Sequence, residues 1–202
     1  MRRRYADAMA LVQHYGKPDL FLTMTCNPAW PEIKEHLLPN EESQNRPDLI
    51  ARVFRAKLQE LKNDLLNQQI FGPVAAYVYV IEFQKRGLPH VHFLLILKGK
   101  AKIKNVEKFD DYVVAEIPEE GVNPHLYHAV WKHMMHGPCG DINPSNVCMK
   151  KNGKCRNCYP KRFNERTTQT GDSFPIYKRR KNGRSIRVRN HLLDNRCMGC
   201  SL

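Results

Sequence analysis

No stretch of this 202-residue chain approaches the ~20 apolar residues that a bilayer-crossing helix needs; apolar runs such as residues 91–97 are of strand length. Membrane spanning is therefore not expected. The N-terminus, MRRRYADAMALVQHYGKPD, has neither a long apolar h-region nor a small-residue cleavage site, so secretion is not expected either. There is no G-x-x-x-x-G-K-(S/T) loop to cradle phosphates, which argues against ATP hydrolysis. No repeat or low-complexity tract interrupts the chain. Acidic residues run short toward the end: residues 150–202 hold 15 Lys/Arg against only Glu165, Asp172 and Asp194.

What is present supports a packed core, with 42% hydrophobic and 26% charged residues. The length suits one ordinary domain, or one with an appendage. The net charge of +13 sits almost wholly in the last quarter, leaving residues 1–149 nearly balanced. A polycationic end suggests a polyanionic partner, most often nucleic acid. The seven cysteines cluster as well: Cys139, Cys148, Cys155 and Cys158 fall within twenty residues, Cys197 and Cys200 close the chain, and Cys26 stands alone. An odd count without a signal peptide favours reduced thiols and metal over disulfides.

Apolar residues at helical spacing (Tyr5, Ala8, Met9, Val12, Tyr15) predict a short helix stopped by Gly16 and Pro18. Residues 19–26 read as a strand ended by Asn27-Pro28, and residues 31–47 as loop with a helical turn. Over residues 48–69 the stripe of Leu49, Val53, Phe54, Leu58, Leu61 and Leu65 predicts the clearest helix. Two β-rich runs, 74–83 and 89–97, flank a turn of Lys85, Arg86 and Gly87, with Gly87 in the left-handed conformation. Residues 98–124 are a polar connection with one candidate strand over 111–116, and residues 125–135 a helix.

The second β-run carries His90 and His92 at i, i+2, so both imidazoles share one strand face while Val91 and Phe93 share the other. With the turn drawn as above, Glu82 falls opposite His90 on that same face. Two imidazoles and a carboxylate make a site for Mg²⁺ or Mn²⁺ with positions left for water and phosphate. Gln84 is the alternative third donor if the register slips by two.

His136, Cys139, Cys148, Cys155 and Cys158 offer five ligands for a structural zinc ion, which takes four. The favoured set is Cys139, Cys148 and Cys155 with either Cys158 or His136. Zinc would compensate for the few large apolar groups in residues 137–165. At the basic end, Lys178, Arg179, Arg180, Lys181, Arg184, Arg187 and Arg189 are candidate phosphate contacts. Tyr177 or Phe174 could stack on a base, and Thr23 and Thr25 could line the same DNA face.

Thr23-x-Thr25 on an early strand, followed by EFQKRGLPHVHFLL, resembles the HUH endonucleases of replication initiators and transposases. The series GKPDLFLTMTCNPAWPEI, FQKRGLPHVHFLLIL, MMHGPCGDINPSNVCMKKNGKCRNCYPKRF and FPIYKRR, in order, resembles the Helitron helicase-like domain, the N-terminal Rep-nuclease region of Helitron rolling-circle transposases. The resemblance implies an α+β fold, an antiparallel sheet with flanking helices, to which the Cys-rich segment adds a small zinc-binding-like appendage. It implies that His90 and His92 hold a metal that polarises a phosphate of single-stranded DNA, which a helix-borne tyrosine attacks to leave a 5′-phosphotyrosine. The domains expected are a nuclease-like core over 1–135, a Cys-rich subdomain over 136–165 and a basic tail over 166–202. A nuclear location in a eukaryote, or otherwise an intracellular one, follows from the same resemblance.

The family's nucleophilic tyrosines follow a segment like D-N-R-(aromatic)-V-V-P-Y-N. Here Asp194-Asn195-Arg196 is followed by Cys-Met-Gly-Cys-Ser-Leu. One legal coding of that hexapeptide, shifted by one base, reads Val-Trp-Val-Val-Pro-Tyr, so a frameshift or misjoined exon is the expected cause. Tyr159 and Tyr177 are the nearest remaining tyrosines, and neither matches the motif. The expectation is a transposase-derived domain, truncated before the tyrosine helix, that binds single-stranded DNA and a divalent metal without cleaving. The alternatives are a non-catalytic, zinc-stabilised DNA-binding module and a transposon relic without function.

Overall fold

The computed structural model describes residues 2–84, 87–150, 152–171 and 174–199. Lys85 and Arg86 of the hairpin turn, and Cys200, lie outside these residues. The chain divides into two compact units, Met1–Ile103 and Lys104–Leu202. It is α+β, with antiparallel sheets and helices.

The first unit is built on a three-stranded antiparallel sheet in which β3 (Pro89–Leu97) lies between β1 (Leu20–Thr25) and β2 (Val74–Phe83). Period-2 alternation sorts β3. Val91, Phe93 and Leu95 point into a covered face and are at most 1% exposed, while His90 and His92 point to the other face. Helix α3 (Pro47–Leu66) belongs to the covered side. Its Leu49, Ile50, Phe54, Leu58 and Leu65 are buried, and its Lys62 ammonium lies 5.3 Å from the Tyr79 ring centre. Tyr79 stacks in turn on Phe93, with centroids 5.3 Å apart. Pro47 opens α3, where its missing N–H leaves no bond unmade.

The β2–β3 register is the one the hairpin predicts: Glu82 pairs with His90, and Gly87 takes φ 75° in the turn. On the opposite side β1 sets Thr25 against His90 and Thr23 against His92. Helix α1 (Arg2–Tyr15) forms as expected, yet Tyr5, Met9 and Tyr15 of its apolar set remain exposed. The loop after Trp30 holds a short α-helix, α2 (Pro31–Lys34), whose Ile33 is fully buried, and a 3-10 turn, Ser43–Asn45.

The second unit begins at Lys104, whereas the sequence reading drew its first boundary after residue 135. The reason is packing. Helix α4 (Pro124–Ala129) continues as a π-helical turn, Val130–Met134, and Val130 packs with Ile117, Ile186 and Met198 in one core cluster. The basic end is thereby part of a folded body rather than a separate tail. Ile186 sits on β4 (Ser185–Val188), which pairs with β5 (His191–Asp194) in a two-stranded hairpin. The expected strand over 111–116 is not formed; Val106–Asp111 is a 3-10 helix and the chain then runs irregularly.

Glu116 joins these parts. Its carboxylate accepts from Arg180 Nε at 2.9 Å and Nη2 at 2.7 Å and from the Arg180 backbone N–H at 2.8 Å. The Arg180 side-chain hydrogen bonds hold its pKa below the ordinary carboxylate value, against the opposing effect of burial. A carboxylate depressed in the folded state stabilises above its unfolded pKa, and that contribution is lost as pH falls through the folded one. Glu116→Gln is expected to cost about 2 kcal/mol at pH 7. It should also flatten the loss of stability below about pH 4.5, the unperturbed carboxyl value. Denaturant titrations of both proteins from pH 7 to pH 3 check this; parallel acid limbs would contradict it.

Candidate metal centres

In the first unit the histidine face of the sheet is a row of chemistry-bearing side chains. Thr25 Oγ1 lies 2.6 Å from His90 Nδ1. With Nδ1–H donating to the hydroxyl, His90 is held in the tautomer whose Nε2 can take a metal. The His90 and His92 rings meet edge to face, centroids 4.4 Å apart, and His92 Nε2 lies 3.6 Å from Glu82 Oε2. His92 Nδ1 is buried without a hydrogen-bond partner, and the His92 ring stacks on Phe21 at 5.4 Å and 12°. The structure thus brings His90, His92, Glu82, Thr23 and Thr25 to one face. Their metal-ligating atoms are more loosely gathered than those of the thiol cluster below. Phe21 is the member that sequence reasoning missed, although its spacing from Thr23 and Thr25 places it on the same face.

The second unit holds the tighter centre. One ligand atom each from His136, Cys139, Cys148 and Cys155 lies within 4.8 Å of the other three. Among the described residues this is the only group of three or more His, Cys, Asp or Glu side chains gathered so closely. Cys155 Sγ and His136 Nε2 are 3.5 Å apart, within the ~3.3–3.8 Å edge of a tetrahedron with arms of about 2.0–2.3 Å. The group could hold a metal ion such as zinc. Between the alternatives for the fourth position the structure selects His136; Cys158 is exposed, at φ 57°.

Local folding brings the ligands together. His136 N donates to Cys197 O at 2.7 Å, and Arg156 N donates to Cys148 O at 2.8 Å. Met149 bridges Cys155, closing a loop that turns at Gly153, φ 73°. The His136 ring lies flat on Tyr159, centroids 4.1 Å apart and planes at 9°. Burial, and then the Lys161 charge, lower the His136 pKa, which keeps the ring neutral and able to ligate. Burial and the neighbouring Cys148 and Cys155 thiols push Cys139 up to about 12. Cys155 moves the other way: burial raises it, but hydrogen bonds from the Tyr159 and Asn157 backbone and from the other two thiols outweigh burial. A divalent cation would relieve this competition by stabilising the thiolates together.

The candidate phosphate contacts divide sharply. Arg179 is buried, its guanidinium donating to the Met198 carbonyl at 2.6 Å and to the Asn195 carbonyl. That makes it a tie within the core, a correction to its place among the phosphate contacts. Lys178 pairs with Asp110 at 3.0 Å, Arg180 with Glu116 at 2.7 Å, and Arg184 with Glu119 at 2.6 Å. Lys181, Arg187 and Arg189 are exposed and make no ion pair among the described residues. No short-range signal marks these pairings, because the acids lie more than sixty residues before their partners.

No curated protein matches the chain. Residues 1–95 match the family model described as the Helitron helicase-like domain at N-terminus. This span runs from helix α1 through β1 and α3 to the histidine strand, and ends within it. Over that segment, just under half of its length, the chain is similar to the Helitron helicase-like N-terminal domain.

Proposed function

We propose that the chain is derived from an HUH endonuclease, that it binds single-stranded DNA, and that it holds Mg²⁺ or Mn²⁺ at His90, His92 and Glu82. The observation that carries this reading is the register of the central sheet, which sets Glu82 and Thr25 on either side of His90. When bound, the cation would offset the charge that develops on the oxygens of a phosphodiester. The chain's own part is positional: Thr25 holds the His90 ring.

The same reading assigns zinc a structural role at His136, Cys139, Cys148 and Cys155, and makes DNA binding without cleavage the expected activity. Tyr77 and Tyr79 face the Lys62 side of the sheet rather than the histidines. Tyr159 is stacked on His136 and Tyr177 packs against Phe109.

Mn²⁺ titration followed by electron paramagnetic resonance tests the first site. The double variant His90→Ala, His92→Ala is expected to lose Mn²⁺ binding by more than about a hundredfold, as ligand loss from a metal site does. It should retain single-strand binding within about twofold, since phosphate charge supplies most of that affinity. Unchanged Mn²⁺ binding would overturn the reading. Incubation with a labelled strand and Mn²⁺ should give no covalent adduct; an adduct that disappears in Tyr177→Phe would refute the non-cleaving part.

A further inference from the structure

The second unit has a cavity of about 370 Å³ that shares no lining residue with the thiol cluster. Its wall is aromatic: Tyr127, His128 and Trp131 come from α4 and its continuation, where i, i+3 and i+4 spacing puts them on one face. Ile186 forms the floor, buried to 1% exposure. The rim carries two opposite charges, Glu120 and Arg187, which make no ion pair with each other or with another described residue.

Trp131 is held but not covered. Its indole Nε1–H donates to the Arg187 carbonyl at 3.1 Å, yet the residue keeps 42% of its surface exposed. The His128 ring lies 5.2 Å from it, tilted by 46°. A fixed, open indole face beside an exposed guanidinium suits a flat ring attached to an anion.

We propose that this cavity binds one nucleobase of a single-stranded DNA, stacked on Trp131, with Arg187 on the adjoining phosphate and Glu120 reading the base edge. The volume is large enough for one nucleotide and too small for a second stacked base. The unpaired carboxylate predicts which base. A carboxylate can only accept, so it favours a base with two N–H donors on one edge and is repelled by carbonyl oxygens. Guanine presents N1–H and N2–H side by side. Thymine presents one N–H between two carbonyls. The pocket should prefer guanine and discriminate against thymine.

The choice of occupant rests on the single-strand ligand proposed above, so the test is run in the His90→Ala, His92→Ala background with zinc left in place. A failure here is then separate from a failure of the histidine site. The chain has two tryptophans, so Trp30→Phe leaves Trp131 as the only indole reporter. Titration with an oligothymidylate carrying one central dG should quench its fluorescence saturably, about tenfold more tightly than the all-thymine strand. Glu120→Gln should bring the two strands within about twofold of each other. Arg187→Gln should weaken both equally. Binding measured by anisotropy should fall about tenfold in Trp131→Ala and be largely kept in Trp131→Phe, a variant that preserves stacking and packing.

Quenching with no base preference, a preference that survives Glu120→Gln, or no change in Trp131 emission while the strand binds elsewhere would each overturn the proposal. So would quenching by an acidic peptide alone at the same concentrations.

Discussion

Cys155→Ser protein is expected to carry no zinc and to lose the ordered structure of residues 137–165, while wild type carries one zinc per chain. The size of the effect follows from what else could hold that segment. Within residues 137–165 the only described residues that are buried are Pro138, Cys148 and Cys155, so the thiols are themselves the local core. The backbone hydrogen bonds around the thiols are short-range, the Met149–Cys155 bridge and the bonds of Arg156 to Cys148 and of Lys150 to Lys154 among them, and the ties to distant residues, Lys161 N to Arg196 O and the Asn164–Arg179 bridge, come only at the segment's end. Such a loop cannot offset a backbone ordering cost of ~1–2 kcal/mol per residue without another source of free energy. A structural zinc site supplies about 10–16 kcal/mol in small zinc modules at neutral pH.

Hydrogen exchange is the decisive measurement. Amides of Cys148 to Cys155 should exchange slowly in the zinc-loaded protein and at near-coil rates after chelation or in Cys155→Ser. Cys158→Ser should match wild type in both zinc content and exchange, because Cys158 lies outside the ligand group. Slow exchange persisting in the chelated protein would mean that the thiols are ordinary buried side chains and that the loop is held by something else.

The contrast between Cys155 and Cys158 shows where sequence reading stops. The C-x-x-C spacing offers both sulfurs equally. Which one turns inward depends on the backbone at Cys158, φ 57°, and on where the chain carries His136 through its bond to Cys197. Neither is a local property of the motif. The histidine strand is the opposite case. Alternation of period two, a short turn and Gly87 fix strand faces and register together, so the opposition of Glu82 and His90 could be read directly from residue order.

The basic end misled for a physical reason. Composition counts charges but not partners. Lys178, Arg180 and Arg184 are met by Asp110, Glu116 and Glu119 from the preceding irregular segment, and Arg179 is drawn into the core by backbone carbonyls. Those acids look unremarkable in a balanced polar stretch. Once paired, they leave Lys181, Arg187 and Arg189 as the members of the original set that are exposed and make no ion pair among the described residues.

Asp19→Ala is expected to destabilise the first unit by about 3–5 kcal/mol, a large share of the 5–15 kcal/mol typical of a domain. Nothing in the sequence singles Asp19 out, since an acid before a strand reads as an ordinary turn residue. In the structure its side chain is 3% exposed and ties three separated points together. One oxygen accepts from Leu97 N at 2.8 Å and from Lys102 Nζ at 3.2 Å; the other accepts from Ile103 N at 2.9 Å. Its own backbone N–H donates to Leu95 O at 2.8 Å. Asp19 therefore clamps the start of β1 to the end of β3 and to the segment beyond it. Truncation leaves two backbone donors and an ammonium without their acceptor, each with a desolvation cost.

The loss should also reach the histidines. β1 is the strand that carries Thr25 to His90, so loosening its far end releases the hydroxyl that orients the ring. Urea unfolding followed at Trp30, in a Trp131→Phe background, gives the stability term, and Mn²⁺ titration gives the coupling. Asp19→Asn, which keeps one acceptor and the shape, should fall between wild type and alanine in both. A stability loss under about 1 kcal/mol in Asp19→Ala, or full stability loss with Mn²⁺ affinity of the folded protein unchanged, would show that the clamp does not set the geometry of the histidine face.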